Sequence, residues 1–178
     1  VHSARNCVNF ARQAGCDLVV GLGGGSAMDS AKVVAALLGN DGDIMDYLGL
    51  NKIPHKGVPT ILLPTTAGTG SEIGRGALFH VPERQSKEAV FSSYMLTDLA
   101  LIDPILAVSA PASVTAASGL DALCHAVESY TGRAANPLSV PFAELGIKWI
   151  SKYLARATAH GSDLDAREGM ALGCLYAS

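Results

Sequence analysis

The sequence predicts an α/β fold: a partial nucleotide-binding domain with a parallel sheet over residues 1–108, then the start of an all-helical domain over 109–178. Three observations carry this. Short β-branched runs alternate with helical periods through residue 102, the pattern of a parallel sheet covered by helices. Beyond that point only helical spacing continues. Between the first strand and the following helix lies Gly21-Leu22-Gly23-Gly24-Gly25-Ser26, where missing side chains let backbone approach a phosphate at a helix N-terminus.

Each element has its own signal. Ala4, Cys7, Val8, Ala11 and Ala14 recur at helical spacing over 3–14, and Gly15 stands where a helix-ending glycine belongs. Residues 17–21 read as a strand, and 27–38 as a helix closed by Gly39-Asn40. The continuous apolar run 59–63 suits a strand buried on both faces, and Pro64 ends it. Runs 77–81 and 88–92 flank the polar stretch 82–87 and read as an antiparallel hairpin, with 99–102 as the last strand. Helices are expected near 114–131, 138–158 and 163–178, which puts the domain boundary near 105–112.

Composition narrows the function classes. The 178 residues make about one domain, or one and part of a second. Thirteen Lys+Arg against sixteen Asp+Glu, with 49% hydrophobic and 16% charged residues, argue against disorder and against a nucleic-acid partner. No apolar run approaches the roughly 20 residues of a membrane helix, and no signal-peptide pattern opens the chain, so no membrane partner is expected. Cys7, Cys16, Cys124 and Cys174 are dispersed without a CxxC pair, which points to a reducing compartment, the cytoplasm. The start at Val1 and a final helical run without a capping signal predict a piece of a longer protein.

The glycine cluster is neither GxGxxG, because a serine replaces the last glycine, nor a P-loop, because Lys32 lies too far along the helix. Ser26 with Asp29 three residues on also has the form of an N-cap and capping-box partner, so a structural role for Asp29 weighs evenly against a nucleotide role. Thr65-Thr66-Ala67-Gly68-Thr69-Gly70 offers hydroxyls just after a buried strand, the sheet end where ligands collect, although alone it is an ordinary polar loop. Lys87, with Arg75 and Arg84, offers positive charge to an anionic ligand, against the simpler reading of solvated hairpin charges.

Asp121 and His125 form the sharpest constellation. On a helix, Leu120, Leu123, Cys124, Val127 and Tyr130 fill one apolar arc, while Asp121, His125 and Glu128 project from a neighbouring one. A carboxylate and an imidazole at i, i+4 can clasp one cation, and both suit ferrous iron or zinc. The alternative is a hydrogen-bonded Asp-His pair, and two donors are half a tetrahedral site. His2, His55, His80 and His160 are isolated and read as surface or locally bonded.

The motif order, Gly23-Gly24-Gly25-Ser26-x-x-Asp29-x-x-Lys32, then Pro64-Thr65-Thr66-Ala67-Gly68-Thr69-Gly70-Ser71-Glu72, Leu101-Ile102-Asp103-Pro104 and Ser118-Gly119-Leu120-Asp121-Ala122-Leu123-Cys124-His125-Ala126-x-Glu128-x-Tyr130, resembles the iron-dependent (iron-containing) alcohol dehydrogenase family. The resemblance runs from about Asp17 to the end, including Glu168-Gly169-Met170-Ala171-Leu172. It implies a Rossmann-like dinucleotide-binding domain followed by a helical metal-binding domain. It also implies that Gly24, Gly25, Ser26, Thr65, Thr66, Thr69 and Lys87 contact NAD or NADP, with Asp29 carried along in the same motif. Asp121 and His125 become metal ligands, for Fe2+ or alternatively Zn2+, and so catalytic residues.

The implied activity is hydride transfer between NAD(P) and a small primary alcohol or aldehyde, with the cation polarising the substrate oxygen. The family completes the metal site with two histidines on later helices, and its first nucleotide-binding strand would precede Val1. The chain is therefore expected to hold half a metal site and most of a dinucleotide site, in a homo-oligomeric parent. The rival readings are a relative of glycerol dehydrogenases and dehydroquinate synthase, whose later motifs fit less well, and a catalytically incomplete nucleotide-binding fragment.

Overall fold

The structure, a computed structural model, describes residues 2–81 and 84–178, without the side chain of His2. Pro82 and Glu83 of the predicted polar stretch, and the surface reading of His2, lie outside the described residues and side chains. The α/β class with a helical C-terminal portion is as predicted.

Helix α1 (His2–Ala14) buries Ala4, Val8 and Ala11, a stripe at helical spacing, against Val33, Val34 and Leu37 of α2 (Gly25–Leu38). Gly15 takes φ +65, the left-handed conformation expected just past a helix end. The Arg12 guanidinium donates to the carbonyls of Leu37 (2.6 Å) and Asn40 (3.0 Å), satisfying orphan acceptors at the end of α2. Strand β1 (Val19–Gly23) begins two residues later than the apolar run, where the Val19 N–H donates to the Pro59 carbonyl (3.0 Å).

One sheet has the order β1-β3-β6, built with β3 (Thr60–Pro64) and β6 (Leu99–Ala100), which pair in parallel with Leu62 opposite Ala100. The other has the order β2-β5-β4: β4 (Gly76–Val81) and β5 (Ser86–Phe91) form the predicted antiparallel hairpin, and β2 (Gly49–Leu50) pairs in parallel with β5. The two-residue β2 and the 3-10 turns Ile44–Tyr47, Ser93–Met95 and Pro104–Ala107 carry no period and escape pattern reading.

Helices α3 (Ala112–Thr131), α4 (Ser139–Ala159) and α5 (Leu164–Ala177) complete the chain. They pack through glycine notches: a Cβ on Gly119 would meet Leu154 Cδ1 at 2.3 Å and Met170 Cε at 2.8 Å, and one on Gly169 would meet the Tyr153 ring at 2.2 Å. This corrects the expected face of α3. Thr115, Gly119, Ala122 and Ala126 are buried, while Leu120, Val127 and Tyr130 are about half exposed, because small residues admit close helix approach and large ones do not. Buried Arg167 ties α5 to the start of α3 by donating to Thr115 Oγ1 (2.8 Å) and to the carbonyls of Ala110 (3.3 Å) and Gly161 (2.9 Å).

The chain divides into two compact units, Val1–Leu63 with Ser71–Leu101, and Pro64–Gly70 with Ile102–Ser178. Among the described residues no helix is long and apolar enough to cross a membrane.

Candidate functional site

In the first unit, β1 delivers the chain into the glycine turn. A Cβ on Gly21 would stand 2.6 Å from Leu62 Cδ2 and 2.7 Å from Ala31 Cβ, so only glycine lets β1 lie this close to β3 and α2. Gly23 has φ +150, and Gly24, extended, is the N-cap of α2 with no side-chain capping bond. Met28 and Ala27 N–H groups reach the Gly24 carbonyl, while the amides of Gly25 and Ser26, as at any helix start, have no acceptor within the helix. The positive end of α2 is therefore presented by backbone alone, an arrangement suited to a pyrophosphate.

The expected Ser26–Asp29 capping box is not formed, which corrects that reading. Ser26 lies inside the helix with an exposed side chain, and the Asp29 carboxylate turns into the unit: it accepts from Ser71 Oγ (2.6 Å) and the Leu78 N–H (2.9 Å), and stands 3.2 Å from Lys32 Nζ. A tertiary partner has replaced the local one. Lys32 is 1% exposed, and burial lowers its pKa while Asp29 opposes the shift. Spacing in the sequence gives neither Lys32 nor its neighbours Ser71 and Glu72 a role. The available signal was an Asp and a Lys three residues apart on the face of α2 shared with Met28 and Ala35, where a solvated charge has no place. Lys87 is exposed on β5, opposite His80 of β4, and Arg84 pairs with Glu88 at 3.4 Å.

In the second unit, the hydroxyl loop and the Asp-His helix come together. Ala67 packs against the helical core, and a Cβ on Gly68 would stand 2.7 Å from Ser118 Cβ and 2.8 Å from the Ser118 carbonyl. The loop backbone thus lies on α3 one turn before Asp121. Thr65 and Thr66 are half-buried and Thr69 is exposed. Asp121 Oδ1 and His125 Nε2 are 4.0 Å apart on side chains 49% and 39% exposed, with Glu128 also exposed. A partly open carboxylate–imidazole pair with this spacing fits a divalent cation as two of its ligands. Among the described residues no group of three or more His, Cys, Asp or Glu assembles around one point. His55, His80 and His160 are exposed, as expected of surface histidines.

The iron-containing alcohol dehydrogenase family matches residues 1–104, and the C-terminal region of the Fe-containing alcohol dehydrogenase family matches 115–178. The chain is 45% identical to long-chain-alcohol dehydrogenase 1 of Geobacillus thermodenitrificans over 180 residues, covering 99% of this chain and 45% of that protein. It is 41% identical to the NAD-dependent methanol dehydrogenase of Bacillus methanolicus over 164 residues, 92% of this chain and 43% of that protein. The crystal structure of sulfoacetaldehyde reductase from Bifidobacterium kashiwanohense in complex with NAD+ matches with a TM-score of 0.94 at 35% identity, over 99% of this chain and 47% of that one. The chain thus spans a little under half the length of the curated relatives it matches. A glycine turn that heads a helix without a side-chain cap, a hydroxyl loop seated on the Asp-His helix and these matches lead to one conclusion: the chain belongs to the iron-containing alcohol dehydrogenase family.

Proposed function

We propose that the chain carries the dinucleotide-binding and part of the metal-binding machinery of an enzyme that transfers a hydride between NAD(P) and a small primary alcohol or aldehyde. The observation that carries the reading is the seating of the Thr65–Thr69 loop on α3 one turn before Asp121, through Gly68 and Ser118, which brings the loop to the helix that carries Asp121 and His125. The division of labour follows the predicted domains, 1–108 for the dinucleotide and 109–178 for metal and substrate.

The amides of Gly25 and Ser26, with Gly24 as the open approach, meet the pyrophosphate charge. The Lys87 ammonium gives a charge-assisted hydrogen bond to the same anionic ligand. The Thr65, Thr66 and Thr69 hydroxyls orient the reactive end of the dinucleotide. Asp121 and His125 hold Fe2+, or Zn2+, which the donor set suits equally. When bound, the cation supplies Lewis-acid polarisation of the substrate oxygen. Asp29 belongs to this reading as a support for the glycine turn. The dispersed cysteines without a CxxC pair support a reducing compartment, the cytoplasm, and the reading includes self-assembly of the parent protein, measurable by light scattering.

In the parent enzyme Asp121→Ala is expected to abolish cation binding and cation-dependent NADH formation at 340 nm with short alcohols, while leaving NADH binding within about twofold. Thr65→Ala with Thr66→Ala should do the converse and raise the dissociation constant for NADH about tenfold. Equal loss of both properties in Asp121→Ala overturns the assignment.

A further inference from the structure

The α/β unit contains a buried pair of charges that the chemistry above does not use. Asp29 is 8% and Lys32 1% exposed, their Oδ1 and Nζ atoms 3.2 Å apart. Lys32 Nζ donates to the carbonyls of Ser71 (2.9 Å), Gly74 (3.3 Å) and Gly76, and Asp29 accepts from Ser71 Oγ (2.6 Å) and the Leu78 N–H (2.9 Å). An ammonium has three donors, so those of Lys32 are consumed inside the fold and do not reach a phosphate. A buried ion pair is also a poor means of gaining stability, since apolar residues of the same volume serve as well or better. What it does provide is direction. One end of the network is the first two turns of α2, headed by Gly24–Ser26, and the other is the start of β4, whose His80 stands opposite Lys87 on β5.

We propose that Asp29 and Lys32 are positioning residues for the dinucleotide: they lock the glycine turn at the head of α2 to the hairpin that carries Lys87, so that backbone amides and ammonium meet one ligand together. The inference rests on the cofactor reading of Gly24, Gly25, Ser26 and Lys87.

The test is a mutant cycle on the full chain, with NADH as the titrated probe and fluorescence as the readout. In the wild-type background Lys87→Ala weakens NADH binding about tenfold, the scale of one charge-assisted hydrogen bond. In the D29N/K32M background, which neutralises both members of the pair, the same Lys87→Ala change costs no more than about twofold, because the lysine no longer meets the ligand in register. A merely structural role lowers the melting temperature and leaves the Lys87→Ala factor intact, so a full tenfold effect in both backgrounds overturns the inference. No effect of Lys87→Ala in the wild type, with NADH bound, overturns the cofactor reading itself and the inference with it. Where D29N/K32M fails to fold, Ser71→Ala, which removes the hydroxyl that donates to Asp29, gives the same comparison: a reduced factor supports the positioning role and an unchanged one overturns it.

Discussion

Glu72 carries a carboxyl whose charge the fold opposes. It is 3% exposed; burial raises its pKa, while its own backbone N–H and the Lys32 ammonium pull the other way without prevailing. The folded state therefore holds this proton more tightly than the unfolded chain. Stability from this group is fully present below the unfolded carboxyl pKa and is lost as pH rises through the raised folded value. Glu72→Gln removes the dependence, so its stabilising effect grows with pH. Urea melts of both proteins from about pH 4 to pH 8 measure it. Asp43, lowered by Arg5, and Asp98, lowered by Lys56, have the opposite dependence but occur in both proteins and cancel. A difference that shrinks with rising pH would remove Glu72 as the source.

Among the elements, the hydroxyl loop depends on a glycine for contact rather than for flexibility. At 2.7 Å from Ser118 Cβ and 2.8 Å from its carbonyl, a methyl at position 68 has no room, so Gly68→Ala forces the loop off α3. NADH affinity is expected to fall about tenfold while Zn2+ binding by Asp121 and His125 stays unchanged, and Ser118→Gly, which clears the nearer obstacle, should restore part of the loss. Titrations of both ligands check this; unchanged NADH affinity in Gly68→Ala counts against the loop as a cofactor contact. This contact also marks how far the sequence is legible. Among the described residues, helices α1 to α5 and the strands β1, β3, β4, β5 and β6 follow from spacing, because burial of one face repeats at 3.6 or 2 residues. The packed face of α3 does not, because hydropathy ranks Leu120 above Gly119 while close helix approach selects the glycine. Nor does the role of Asp29: a carboxylate three residues after Ser26 looks the same whether it caps its own helix or crosses to Ser71 and Leu78. Asp121 and His125 are visible as a pair because the i, i+4 relation is wholly local, whereas the loop seated one turn before them is not.

At the scale of the whole molecule, the Asp121–His125 pair lies entirely in the second unit, on a helix, and exists as a pair only while that helix is formed. A ligand that binds only the native form stabilises it by RT ln(1 + [L]/Kd), about 2.7 kcal/mol at a hundredfold excess over Kd, which corresponds to a rise of about 5–10 °C in the melting temperature of a chain this long. Zn2+, which is redox-inert, is expected to give this shift, and Asp121→Ala and His125→Ala each to abolish it, the double variant losing no more than either single one because one donor alone does not hold the ion. Lys87→Ala leaves the Zn2+ shift in place, since that residue belongs to the first unit. One competing donor is Cys124, exposed and adjacent to His125 in sequence, and Cys124→Ser separates it from the Asp-His pair. A shift that survives Cys124→Ser and disappears with Asp121→Ala locates the cation on the Asp-His pair; one that survives Asp121→Ala and disappears with Cys124→Ser assigns it to the thiolate and removes the pair from the catalytic reading.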